Sequence, residues 1–90
     1  MSESTDWQDE TYERVFEEEL RGLERRRAHD PALTLEDIRM QLHHLYILDG
    51  QNLDRGAVGD IMSAATVSAY EHFIAVWEQE LRNPPNQPAL

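Results

Sequence analysis

The sequence predicts an all-α protein, a small three-helix bundle whose long C-terminal helix is apolar nearly all the way round and is completed by homodimerisation. Three observations lead there. Residues 57–82 keep a helical apolar period over their whole length, on two faces rather than one. Two punctuating stretches, His29-Asp30-Pro31 and Asp49-Gly50, divide the chain ahead of it into two further helical segments. The chain has 90 residues and no cysteine, close to the lower limit at which one core is stable without disulfides or a second copy.

After a frayed start at residues 1–6, the first helix is expected over about 7–28, with Thr5 and Gln8 at capping-box spacing. Tyr12, Phe16, Leu20 and Leu23 form a narrow apolar seam, and the remaining sides are charged. Acids crowd the first half of this helix and Arg25, Arg26 and Arg27 close it, an order that complements the helix dipole. Gly22 costs about 1 kcal/mol relative to alanine, and either marks a close contact or is tolerated.

The second helix is expected over 35–48, capped by Thr34 with Asp37 at the third helical position and Leu33 placed as a hydrophobic staple. Leu35, Ile38, Leu42, Leu45 and Tyr46 make its core face, and Met40, His43 and Ile47 gather on the opposite side. Gly50 ends it, and the short Gln51–Gly56 loop makes the second and third helices antiparallel neighbours.

The third helix, 57–82, places Val58, Ile61, Met62, Ala65, Ala69, His72, Phe73 and Val76 on one face and Val67, Tyr70, Ile74, Trp77 and Leu81 on a second. A helix apolar on most sides must be covered on most sides, by two helices of its own chain or by one helix and a second subunit. The expected interface is Val67, Tyr70, Ile74, Trp77 and Leu81, with Met40, His43 and Ile47 as a second patch. Residues 83–90, NPPNQPAL, read as a disordered proline-rich tail, so the single domain spans 7–82.

The net charge is −10, and within residues 1–24 nine acids meet only Arg14 and Arg21. Such a surface repels nucleic acid and anionic membrane, so neither is an expected partner. No run approaches the roughly 20 apolar residues of a membrane helix, and the acidic start does not resemble a signal peptide. A cytoplasmic protein fits these features.

Catalytic and cofactor chemistry finds little support. A helix–turn–helix is rejected because the would-be recognition helix carries four acids and a single arginine at its far end. The segment Asp49–Asp60 has the span of an EF-hand loop but lacks its turn glycine and its bidentate glutamate. Neither a Glu-x-x-His pair nor a Gly-x-Ser-x-Gly elbow occurs, and His43 and His44 diverge by about 100° on a helix. His72 falls on the apolar face, as a hydrogen-bonded core histidine would. The expectation is therefore a non-catalytic interaction or regulatory module without cofactor or metal, whose partners are a second copy of itself and another protein. One alternative is an acidic nucleic-acid mimic presenting Glu10, Glu13, Glu17 and Glu24 to a basic groove. A further alternative is a small metal-binding bundle around Glu71 and His72.

Overall fold

The computed structural model describes the backbone of residues 3–51 and 56–83 and the side chains of residues 7–48 and 59–83. It is all-helical: α1 spans Glu3–His29, α2 spans Leu35–Gln51 and α3 spans Gly56–Arg82, with no strand among the described residues. α3 packs against both other helices, along α1 most extensively, whereas α1 and α2 make no comparable backbone approach to each other. Cross-helix contacts set the directions. Tyr12 meets Ser68 and Arg27 meets Glu80, so α1 and α3 run the same way; Arg39 meets Glu78 and Tyr46 meets Glu71, so α2 runs against α3.

The turn between α1 and α2 is built from local hydrogen bonds. The Asp30 carboxylate accepts from the Ala32 amide at 3.0 Å, and the Asp30 carbonyl accepts from the Leu33 amide at 3.1 Å. Pro31 sits between them, its fixed φ suited to the second position of such a turn. α2 then opens on a reciprocal capping box: the Asp37 amide donates to Thr34 Oγ1 at 3.1 Å and the Thr34 amide donates to Asp37 Oδ2 at 3.0 Å. Leu33 and Ile38, which flank this cap at staple positions, belong to one buried cluster.

That cluster, Leu23, Leu33, Ile38, Phe73 and Trp77, lies at the end of the bundle where the α1–α2 turn meets the second half of α3. Leu20, Leu35, Tyr70 and Ile74 pack around it, partly buried. On α3 the buried residues Ala65, Ala69, Phe73 and Trp77 follow one another at intervals of four. Each such step drifts about 40° around the helix. The buried ridge therefore winds from the first of the two apolar faces predicted from sequence onto the second, small residues first and aromatic rings last.

Several boundaries differ from the sequence expectation. α1 begins at Glu3, so Thr5 stands inside the first turn rather than capping it. α2 runs through Gly50 to Gln51, a helix accommodating a single glycine at a cost of about 1 kcal/mol. The expected 51–56 loop falls largely on residues 52–55, and the expected tail on 84–90, which lie outside the described residues. Within α1 the most buried side chains are Leu23 and Val15, while Tyr12 sits at the margin. Val15 lies roughly 60° around the helix from Tyr12, so the strip facing α3 is wider than the four-residue seam suggests. His72, expected in the core, is exposed beside the Phe16 ring, 5.9 Å away between centroids.

Gly22 is tolerated rather than required. A Cβ placed there would find only the Arg25 guanidinium within 4 Å, at 4.0 Å. Gly22→Ala should raise stability by about 0.5–1 kcal/mol in urea denaturation, through helix propensity and a less flexible unfolded chain. A loss of stability would mean that α1 approaches a neighbour more closely at this point than the geometry allows.

Candidate functional site

Among the described residues, exposed large apolar side chains gather on α2. At about 100° per residue, Met40, His43 and Ile47 fall half a turn away from Ile38, the one fully buried side chain of that helix. Met40 is 56% and Ile47 44% exposed, and His43 lies open between them. Leu48 and Tyr46 extend this surface on either side, 53% and 47% exposed. Their position follows from the sequence: Leu45, Tyr46, Ile47 and Leu48 are consecutive, and four consecutive helical residues sweep about 300°, so all four cannot face α3. Tyr46, assigned to the core face by periodicity, instead lies at its edge and donates its hydroxyl proton to Glu71 Oε2 at 2.5 Å. Leu48 was missed for the same reason.

The expected interface residues on α3 divide differently. Trp77 is buried in the cluster shared by all three helices, edge-on to Phe73 at 5.7 Å. The Arg27 guanidinium lies 4.0 Å from its ring centroid, and the same arginine pairs with Glu80 at 2.9 Å. Tyr70 and Ile74 pack against that cluster and Val67 is half-buried, whereas Leu81, one turn beyond Trp77, is 64% exposed. The α3 residues and the Met40, His43, Ile47 patch therefore do not form one continuous surface: α2 lies between them.

Polar contacts fasten α2 in place. Arg39 bridges Glu36 on its own helix and Glu78 on α3. Arg26 of α1 donates to Gln41 Oε1 at 2.8 Å, and the Tyr70 hydroxyl reaches the same oxygen at a long 3.4 Å. Burial raises the Tyr70 pKa above the ordinary phenol value, Glu19 adds to the rise, and Arg26 opposes it. Tyr46 is also raised, chiefly by its hydrogen bond to Glu71, with desolvation adding to it.

Between the end of α1 and α2 lies a cleft of about 400 Å³, bordered by Arg26, Asp30, Leu33, Met40 and His44. A second depression, about 320 Å³, separates α1 from α3, with Leu20, Phe73 and Val76 as its apolar lining and Glu24, Arg27, His72 and Glu80 at its edge. Among the described residues no three histidine, aspartate or glutamate side chains gather as metal ligands, and Glu71 is engaged by Tyr46. These features define a small three-helix protein with an exposed apolar helix face. Comparison with known proteins finds no family model, no curated protein and no solved structure that matches the chain.

The two tyrosines make a measurable consequence. Their folded-state pKa values are raised, so the native protein holds these protons more tightly than the unfolded chain. Their contribution to stability is intact below pH about 10 and is lost as pH climbs through the folded values. In a spectrophotometric phenolate titration, Tyr46→Phe and Tyr70→Phe should each remove absorbance change from the alkaline end of the curve. Removal of its lower-pH portion would show that neither the Glu71 hydrogen bond nor the burial of Tyr70 acts as described.

Proposed function

We propose that this chain is a non-catalytic, cytoplasmic protein-interaction module that pairs with a second copy of itself through the outer face of α2. The observation that carries this reading is the exposure of Met40 and Ile47 half a turn from Ile38, the one fully buried side chain among the described residues of that helix, with Leu48 and Tyr46 exposed on its flanks. Full burial of such side chains is worth about 1.5–3 kcal/mol each, and half-exposed ones forgo a proportionate share unless something covers them. The single-domain core, small for a free-standing protein, gives self-association a second role in stability.

A second copy suits the pattern of the face itself. Met40, His43, His44 and Ile47 are symmetrically spaced, so an antiparallel pairing sets Met40 against the partner's Ile47 and His43 against the partner's His44. This is the reciprocal contact that a two-fold axis requires. The acidic-mimic alternative has less support, because the carboxylate row on α1 is interrupted: Arg21 pairs with Glu17 at 3.3 Å.

Sedimentation equilibrium over a concentration and salt series tests the proposal. A dimer is expected, tightened by added salt as the −10 charge of each copy is screened. Ile47→Glu should shift it to monomer while helicity by circular dichroism stays unchanged, since Ile47 is already 44% exposed. A wild-type monomer at every concentration, or a dimer indifferent to Ile47→Glu and Met40→Glu, would overturn it.

A further inference from the structure

We infer that the channel between α1 and α3 is a second docking site, built to receive a cationic amphipathic helix of another protein. It lies on the opposite side of α1 from the Arg26–Gln41 contact with α2, because Glu24 and Ala28 point roughly half a turn away from Arg26. The two helices that border it run in parallel, joined by a ladder of contacts. Tyr12 donates to Ser68 at 2.6 Å, the Phe16 and His72 rings sit 5.9 Å apart, and Arg27 closes the far end on Glu80 at 2.9 Å.

The lining is apolar and accessible. Leu20, Phe73 and Val76 floor the depression of about 320 Å³, and Val76 is 42% exposed. A separate depression toward the start of α1 is bordered by Tyr12 and Phe16, whose rings stack with centroids 6.4 Å apart. From Leu20 to Ala28 the depression is about 12 Å long at 1.5 Å per residue, the footprint of about two helical turns. An apolar depression between two parallel helices accepts a further helix by the ridge-and-groove packing that completes a four-helix bundle.

Charge identifies the occupant. Glu13, Glu17 and Glu24 lie within about 60° of Leu20 around α1, on the side that faces the depression, and Glu80 stands across it on α3. The nearest cations are already engaged, Arg21 by Glu17 and Arg27 by Glu80 and Trp77. Among the described residues Glu13 and Glu24 make no ion pair. A helix with a Leu-, Ile- or Phe-rich stripe flanked by Lys or Arg satisfies both the lining and the rim. A second copy of this chain fits poorly, since it brings another net −10 and a first helix crowded with acids. Electrostatic steering by such a rim accelerates encounter with a basic partner, and the apolar floor supplies the specificity.

The test is binding of a labelled 18-residue Leu/Lys peptide with its leucines on one helical face, followed by fluorescence anisotropy at two salt concentrations. Saturable one-to-one binding is expected. Val76→Arg, which places a bulky cation in the channel, should weaken it about tenfold or more. Glu13→Gln with Glu24→Gln should weaken it about threefold to tenfold at low salt and less at high salt. Circular dichroism checks that each variant stays folded. Ile47→Glu should leave peptide affinity unchanged, which separates this site from self-association through α2. Equal affinity for a scrambled peptide of the same composition would reduce the effect to bulk charge attraction and overturn the inference. So would binding indifferent to Val76→Arg, or binding lost with Ile47→Glu.

Discussion

The packing of Phe73 and Trp77 under the α1–α2 turn is the interaction on which the rest of the structure depends. It is the one place where side chains from all three helices and the turn share a buried cluster. Arg27 reinforces it from two directions, over the indole face and in an ion pair with Glu80, so the end of α1 is pinned to α3 just before the chain reverses. The reversal is then fixed by Asp30, Pro31 and the Thr34–Asp37 capping box, which aim α2 back along α3 with Ile38 pointing into the same cluster. Turn chemistry and core packing thus specify one geometry together, and neither alone orients α2.

Concentrating the core at one end has a cost at the other. Ala65 and Ala69 let α1 approach α3 closely but contribute little apolar area, and no large aromatic ring is buried in that half of α3. α2 meets α3 along one narrow strip, and past Leu45 its apolar residues outnumber the positions that α3 can cover. The outward Ile47 and Leu48 are therefore a geometric consequence of a helix richer in apolar side chains than its single intramolecular contact can use. The α1–α3 depression arises differently: it lies on the flank of the parallel pair, where Leu20, Phe73 and Val76 are left without a third helix over them.

Much of this was legible in the sequence because local rules govern it. Pro31 and the Thr34-x-x-Asp37 pattern mark the α1–α2 junction, and the spacing of Met40, His43 and Ile47 against Ile38 marks the outer face of α2. What periodicity could not supply was the crossing of the helices. Projected onto a wheel, Trp77 and Phe73 belong to different faces of α3; in space they are successive steps of one ridge that α1 and α2 enclose. The same limitation hid Val15, flanked by Arg14 and Phe16 and off the obvious seam, and placed His72 inside when the real ridge leaves it beside Phe16 at the surface. Gly50 carries the usual signal of a helix end, yet α2 continues through it.

Native-state hydrogen exchange followed by NMR tests most directly the claim that stability is focused on the Phe73–Trp77 end. The account predicts the slowest amide exchange in Ala69–Trp77 of α3, in the first two turns of α2 from Ile38 onward, and in α1 around Leu23, with faster exchange toward residues 3–12, 45–51 and 56–64. Uniform protection along all three helices, or the strongest protection in the alanine-rich start of α3, would contradict it and move the organising core elsewhere.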